Sequence, residues 1–206
     1  MQGPVTRYKG NDSMSTPRPL IKIENPEWAH RIKHLFDKMD RSYAAASAES
    51  GFTCAGCEDN CCLSLFYHHT LMELFYLKEG LAALPEETLT TVTFRAQEAA
   101  PLLHQRANGE TDEKVPCPLM EEGRCMLYEH RPMVCRLHGV AHILERPDGS
   151  VIDGPGCARF EQAGTQTPPL NRTPLYREMA ILEKGLREET GFADRLKLTI
   201  AEMILL

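Results

Sequence analysis

The cysteines constrain the possible fold of this 206-residue chain more than any other feature, because seven of the eight fall into two short segments. The first group is Cys54, Cys57, Cys61 and Cys62, the second is Cys117, Cys125 and Cys135, and Cys157 follows alone. The four thiols of the first group cannot pair among themselves without heavy strain, because disulfides need particular Cα separations and side-chain directions. They can converge on a metal ion or cluster. In a reducing compartment this pattern predicts a cysteine-ligated metal protein rather than a disulfide framework.

Composition and charge narrow the class of protein. A hydrophobic content of 42% and a charged content of 25% are typical of a globular protein. Residues 1–19 contain no continuous apolar stretch, and no run approaches the length of a membrane span, so we expect a cytoplasmic protein without membrane contact. The formal net charge of -6 argues against a nucleic-acid partner, which would need a basic footprint. The expected partners are metal ions, with a protein partner as an open alternative.

The distribution of residue types predicts three segments. Residues 1–19, rich in Gly, Pro, Ser, Thr and Asn, are expected to be a disordered extension. Residues 20–162 are expected to form a cysteine-cluster metal-binding domain with helices. Residues 163–206 are expected to be a connector and C-terminal helices packed on the same domain. The predicted fold is mainly α with a small β-hairpin, in which irregular cysteine-rich, metal-bound loops pack on helices.

Apolar spacing and capping residues predict the individual elements. A hairpin is indicated where residues 140–144 and 151–152 flank the turn Pro147-Asp148-Gly149-Ser150. The last segment, 192–206, has an apolar side that should dock on the domain or a partner. Helices are predicted from Asn25-Pro26 to Ser50 with Gly51 as the stop, from Cys62 to Leu77, from Pro85 to Ala107, and from Leu175 to Glu189.

The spacing of the cysteines bears on the identity of the metal. Thiolates suit Zn²⁺, Cu(I) and iron–sulfur clusters. Structural zinc is commonly held by two C-x₂-C knuckles, and here only Cys54 and Cys57 form one. Iron–sulfur sites often combine three close cysteines with a remote one and a neighbouring proline, and prolines flank Cys117. We therefore favour iron or an iron–sulfur cluster, with zinc as the alternative, in one or two sites.

Three residues near the second cysteine group are candidates for holding the cofactor. Arg131 and Arg136 flank Cys135 and could compensate an anionic thiolate centre or dock an anionic substrate. The alternative is a salt bridge to one of the glutamates at positions 121, 122 and 129. Tyr128 could hydrogen-bond a sulfur, although a half-buried core position is the favoured interpretation.

Four histidines lie close to the cysteines in sequence. His68 and His69 follow the first group, and one of them could ligate or protonate, although a satisfied or solvent-facing histidine is the favoured interpretation. His138 and His142 follow Cys135 and would share one face if residues 140–144 form a strand. His138 is a candidate ligand or proton donor.

Three motifs together carry a family resemblance. The runs C-A-G-C-E-D-N-C-C, P-C-P-L and G-R-C-M-L-Y-E-H-R-P-M-V-C-R resemble the zinc- or iron-chelating cysteine-cluster family, the YkgJ-type or CxxCxxCC proteins, over residues 52–157. Three residues precede the double cysteine here where the family has two, which leaves open whether Cys61 or Cys62 is the ligand. The resemblance implies that the family's metal-chelating positions are Cys54, Cys57, Cys61, Cys62, Cys117, Cys125 and Cys135.

Two functions follow from these observations. The first is a cysteine-thiolate metal-binding protein whose metal organises the fold. The second is an iron–sulfur redox protein or a metalloenzyme that modifies a protein or peptide. The sequence leaves the question of enzymatic activity open.

Overall fold

The computed structural model describes residues 23, 25–54, 61–164 and 167–206. Cys57 and the predicted extension 1–19 lie outside the described residues. The described part is mainly helical with small β elements, as the sequence predicts. The helices are α1 (Glu27–Ser50), α2 (Leu71–Ala82), α3 (Glu86–Ala107), α4 (Met133–Leu137), α5 (Ala158–Gln162), α6 (Thr173–Thr190) and α7 (Ile200–Leu205), and the strands are β1 (Met120–Glu121), β2 (Arg124–Cys125), β3 (His142–Glu145), β4 (Val151–Gly154) and β5 (Leu170–Asn171).

Three of the predicted long helices are confirmed with nearly their expected bounds. Helix α1 ends where Gly51 adopts a φ of 65°, a left-handed conformation that glycine reaches without strain. Helix α3 contains Pro101 and ends at Ala107. Helix α6 begins two residues earlier than expected and also ends at a left-handed glycine, Gly191. Local signals in the chain are therefore sufficient for these elements.

The predicted helix from Cys62 to Leu77 is wrong in its first half. Residues Cys61–Leu63 form a short 3-10 turn, and helix α2 begins only at Leu71. Two contacts account for the late start. The backbone of His68 pairs with that of Leu198 through hydrogen bonds of 2.7 and 3.0 Å, so it is not available to a helix. Thr70 then caps α2 by accepting a hydrogen bond from the Glu73 N–H.

A carboxylate from the other end of the chain completes this helix start. Glu183 of α6 accepts hydrogen bonds of 2.8 and 2.9 Å from the N–H groups of Leu71 and Met72. These N–H groups belong to the first turn, which has no partners inside its own helix. The first turn of α2 is therefore fixed by a residue more than a hundred positions away.

One hydrophobic core joins the N-terminal and C-terminal helices. Helix α7 packs on α3, and α6 packs on both α1 and α2. Buried side chains such as Ile32, Leu77, Leu186 and Met203 belong to the same cluster. Of the predicted apolar tail, only Ile200–Leu205 is helical, and it begins with a capping box between Thr199 and Glu202. The division at residues 162 and 163 stays a prediction.

Two small sheets complete the fold. The predicted hairpin is confirmed as β3 and β4, and β5 adds a parallel strand on the other side of β3. A second hairpin, β1 with β2, was not predicted. Its two turn residues, Glu122 and Gly123, have φ values of 48° and 76°, as a tight two-residue hairpin connection requires. Among the described helices, none has the length and apolar character needed to cross a membrane.

Candidate metal centre

All the described cysteines face one cavity of about 690 Å³. Helix α1, the loop that follows it, the 3-10 turn, the β1–β2 region and α4 contribute to its walls. Cys57 lies outside the described residues, so its position relative to this cavity is not assigned. The cysteines that line the cavity are Cys54, Cys61, Cys62, Cys117, Cys125, Cys135 and Cys157.

Backbone hydrogen bonds bring the cysteine segments together. The N–H of Cys117 donates to the carbonyl of Cys62 over 2.8 Å, which joins the two groups that are far apart in sequence. The β1–β2 hairpin then returns the chain so that Cys125 pairs with Met120. Helix α4 carries Cys135. The thiols are thus presented by several short segments, and Cys61 and Cys62 share the same 3-10 turn.

Two of the thiols accept hydrogen bonds from nearby backbone N–H groups. Burial raises the pKa of Cys117 to about 12, while the Leu119 N–H opposes this shift. Burial likewise raises the pKa of Cys125, and the Leu127 N–H acts in the opposite direction. An N–H donor directed at sulfur favours the thiolate form. The two N–H donors therefore offset part of the effect of burial on these thiols.

Several thiols raise the pKa of their neighbours. The pKa of Cys61 is raised by its hydrogen bond with Cys62 and by burial. The pKa of Cys135 is raised well above its ordinary value by burial, and further by Cys117, Cys61 and Cys125. Negative charges would repel one another here, and a bound cation would reverse that balance and favour thiolates.

Tyr43 of α1 gathers a second set of thiols. Its hydroxyl lies 3.3 Å from the sulfur of Cys54. Its pKa is raised by burial, and then by Cys54, Cys157 and Cys61. The hydroxyl, kept protonated, can donate a hydrogen bond to a sulfur. No sequence pattern indicates this role for Tyr43, because only the packing of α1 against the cavity places it there.

Cys157 reaches the cavity through a close approach of two backbone segments. Its N–H donates to the carbonyl of Gly139 over 2.9 Å. Gly156 has a φ of 98°, and a Cβ atom at this position would lie 2.6 Å from the same carbonyl oxygen. Only glycine fits here.

The arginines at the cavity do not pair with the predicted glutamate side chains. Arg131 and Arg136 both donate to the carboxylate of Asp40, over 2.8 and 2.5 Å. Arg136 also donates to the backbone carbonyls of Arg131 and Glu129. The prediction of a glutamate partner is wrong. Helix α1 packs on α4, and this contact brings Asp40 next to both arginines although it lies about ninety residues earlier in the chain.

The guanidinium groups act on the thiols electrostatically. Arg131 opposes the upward pKa shifts of Cys61 and Cys125, and Arg136 also opposes that of Cys125. Within the described part of the chain, Nε and Nη1 of Arg131 are buried without a hydrogen-bond partner. This geometry fits the interpretation of charge compensation for an anionic thiolate centre.

Tyr128 lies at the edge of the cavity with Arg131. The guanidinium carbon of Arg131 sits 3.5 Å from the centre of the Tyr128 ring. The ring is 58% exposed, so the half-buried core position expected for this residue is wrong. Tyr128 instead covers the guanidinium from the solvent side, a cation–π contact that keeps Arg131 in place.

The four histidines have different surroundings. His68 is buried and lines the cavity, against the expectation of a satisfied or exposed ring. His69 is exposed and its Nδ1 lies 3.1 Å from the Leu196 carbonyl. His138 lines the cavity, and its ring contacts that of Phe66 with centroids 5.1 Å apart and planes inclined by 60°. His142 packs over Gly154, and burial followed by Arg172 lowers its pKa.

The side chains as placed define a donor set rather than a closed coordination shell. Within residues 25–54, 61–164 and 167–206, no three Cys, His, Asp or Glu side chains are close enough together to hold a metal ion. By their chemistry, clustered thiols beside guanidinium groups fit a thiophilic metal. The cysteines that line the cavity are therefore candidate ligands.

The fold and the site together define a mainly helical protein with a cysteine-lined cavity. Residues 53–152, just under half of the chain, match the model of the CxxCxxCC family, described as "Putative zinc- or iron-chelating domain". The match confirms the resemblance that the cysteine motifs indicate, and it supports metal binding without distinguishing zinc from iron. No curated protein and no solved structure matches the chain.

Proposed function

We propose that the protein binds metal through cysteine thiolates in the cavity and that the metal organises the fold. The observation that carries the proposal is the convergence of all seven described cysteines on one cavity. Iron or an iron–sulfur cluster is favoured, because only one C-x₂-C pair is present and prolines flank Cys117. Zinc is the alternative. The proposed ligands are drawn from Cys54, Cys57, Cys61, Cys62, Cys117, Cys125, Cys135 and Cys157.

The electrostatics of the cavity support a cation as the occupant. Buried thiols that raise one another's pKa stay protonated in the empty cavity at neutral pH. A metal ion would deprotonate them and turn their mutual repulsion into attraction to a common centre. The Asp40-anchored guanidinium groups would stabilise the remaining negative charge. The metal would join the cysteine segments to one another. The arginines, Tyr43 and the backbone N–H donors would orient the sulfurs.

Binding should stabilise the whole molecule, because it ties residues 54–62 to residues 117–157. Metal affinity becomes folding free energy when the complete site exists only in the native state. The experiment is a titration of metal-free protein with Zn²⁺ or Fe²⁺ without oxygen, followed by competition with a chromophoric chelator and by thermal unfolding. We expect tight binding and a higher melting temperature with metal.

The double variant Cys54→Ser with Cys57→Ser provides the test of the ligands. It should bind less metal and gain less thermal stability, because two of the first four thiols are removed. Wild-type metal content in this variant would contradict the assignment of the first cysteine group. Failure of the wild-type protein to take up either ion would contradict the proposal itself.

A second candidate function is that of an iron–sulfur redox protein or a metalloenzyme acting on a protein or peptide. The observation in its favour is the size of the cavity, which is in the range of small-molecule sites and includes the unpartnered nitrogens of Arg131. The guanidinium group of Arg131 could bind an anionic group beside the metal. A reversible change in the spectrum of iron-loaded protein during reductive titration would favour this function. A colourless zinc protein without redox response would exclude the iron–sulfur redox protein.

A further inference from the structure

We propose that His68 supplies a nitrogen ligand to the metal in the cysteine cavity and that Glu73 orients its ring. The inference rests on the proposed function, since it concerns the coordination of the same metal. It adds a residue outside the cysteine motifs and outside the segment's defining pattern. Three observations carry it: the burial of the ring, the lack of a hydrogen-bond partner for its Nε2 among the described residues, and the fixed carboxylate that faces its Nδ1.

His68 is buried in a way that needs a partner. Its exposed fraction is 3%, Nδ1 has the Glu73 carboxylate 3.8 Å away, and the buried Nε2 has no hydrogen-bond partner among the described residues. A buried polar group left without a partner is destabilising. The ring lines the same cavity as the seven described cysteines. A metal ion in this cavity would provide a partner for Nε2.

Glu73 lies on the other side of the ring. Its Oε1 is 3.8 Å from His68 Nδ1. The carboxylate itself is fixed, because Oε1 accepts from the Met133 N–H over 2.9 Å and Oε2 accepts from the Thr70 hydroxyl over 2.7 Å. Metal-binding histidines commonly direct their second nitrogen at a carboxylate, which sets the ring orientation. The pair His68 and Glu73 has the composition of that arrangement.

The contacts of Glu73 also connect this pair to the cysteines. Met133 opens helix α4, which carries Cys135 two residues later. The backbone of His68 is held by its pairing with Leu198. The histidine, the carboxylate and the thiol are thus presented from a common rigid region.

A neutral nitrogen ligand is favourable in this cavity. Four thiolates around a divalent ion leave a net charge of about -2, whereas three thiolates and one imidazole leave about -1. In a buried site the smaller charge costs less desolvation. His68 also lines a second cavity of about 880 Å³ beside α6. If the free nitrogen of the ring faced that cavity, His68 would not be a metal ligand.

The test is X-ray absorption at the zinc edge on full-length protein reconstituted with Zn²⁺ alone. We expect a mixed shell with sulfur near ~2.3 Å and nitrogen near ~2.0 Å, together with the outer-shell scattering of an imidazole ring. His68→Ala should lose the imidazole scattering and bind zinc at least about 10-fold more weakly. Glu73→Gln should weaken binding by about 10- to 100-fold, as loss of an orienting carboxylate does.

Two control variants show whether the effect is specific to His68. His69→Ala changes the neighbouring exposed ring and should leave affinity and scattering unchanged. His138→Ala removes the other histidine that lines the cavity and should keep the imidazole scattering. Circular dichroism of each metal-free variant checks the fold.

The outcomes are distinct. A sulfur-only shell in the wild-type protein, which does not depend on any variant folding, would overturn the role of His68 while leaving the proposed function intact. Imidazole scattering that persists in His68→Ala would do the same. If the wild-type protein takes up no zinc or iron, the proposed function fails, and the histidine ligand fails with it.

Discussion

At the scale of single residues, Asp40 is the side chain that holds the two arginines of the cavity, Arg131 and Arg136. Its carboxylate is the shared acceptor for Arg131 and Arg136, which are 9% and 3% exposed. Burial lowers the pKa of Arg136, and Asp40 is the largest influence that opposes this effect. Without the carboxylate, two neighbouring buried cations would lack a counter-charge.

Asp40→Asn should therefore lower the free energy of unfolding by about 2–3 kcal/mol, because removing one partner leaves buried charge uncompensated. The measurement is urea unfolding of the metal-free protein. Asp37→Asn is the matched control on the same helix, since Asp37 pairs with the exposed Lys33 at the surface. Equal losses in the two variants would contradict the importance of the buried network.

His130 gives the stability of the protein a predictable pH dependence. Its ring stacks on Tyr76 with centroids 4.6 Å apart, and burial followed by Arg136 lowers its pKa. A histidine with a lowered pKa in the folded state favours the neutral ring. Its contribution is present above the ordinary value near ~6.5 and is lost as the pH falls below it.

His130→Phe keeps an aromatic ring beside Tyr76 and cannot be protonated. The decrease in unfolding free energy between about pH 7.5 and pH 5.5 should be smaller in this variant than in the wild-type protein. Denaturant unfolding at the two pH values measures both. An unchanged pH dependence would show that this ring does not contribute to it.

At the scale of the elements, the tight crossing of residues 139 and 156 positions the only cysteine outside the two groups. Gly156→Ala places a Cβ atom 2.6 Å from the Gly139 carbonyl in addition to forcing a φ of 98° on alanine. Gly149→Ala is matched to it, since Gly149 has a φ of 81° and nothing within 4 Å of the added atom.

The control should cost about 1 kcal/mol of stability from the backbone conformation alone. Gly156→Ala should cost about 1–2 kcal/mol more, because the backbone segments must separate. Thermal unfolding of the two variants side by side gives the difference. Similar melting temperatures would show that the crossing yields easily and does not constrain Cys157.

The elements also show which parts of the fold the sequence could predict. Helices α1 and α6 and the β3–β4 hairpin have their signals within the element, including Gly51, Gly191 and the turn at Asp148-Gly149. The start of α2 has its determinants elsewhere, in the pairing with Leu198 and the carboxylate of Glu183. From apolar spacing alone the helix was predicted to begin at Cys62, because such spacing contains no information on tertiary contacts.

At the scale of the whole molecule, the cavity is formed where helices and irregular segments meet. The cysteine spacing predicted that the thiols converge, and the described cysteines line one cavity. The sequence could not predict the residues that complete it. Asp40 and Tyr43 belong to α1, more than ten residues before the first cysteine, and only the packing of α1 against α4 brings them there.

His68 shows the same limit of sequence-based prediction. It could be identified as a candidate because it lies near the first cysteine group, but the predicted helix did not define its neighbours in space. The extended segment around residue 68 buries the ring against the cavity and beside Glu73. The position of His68 at the cavity could therefore be predicted only with the correct start of α2.

The central claim is that this cavity is a thiolate metal centre, and the metal content of the purified protein tests it most directly. Elemental analysis and a visible absorption spectrum should be recorded on full-length protein isolated without oxygen. We predict stoichiometric metal, with iron, acid-labile sulfide and visible charge-transfer absorption for a cluster, or zinc in a colourless protein for the alternative. Protein isolated in folded form with neither metal, and unable to take up either, would contradict the account.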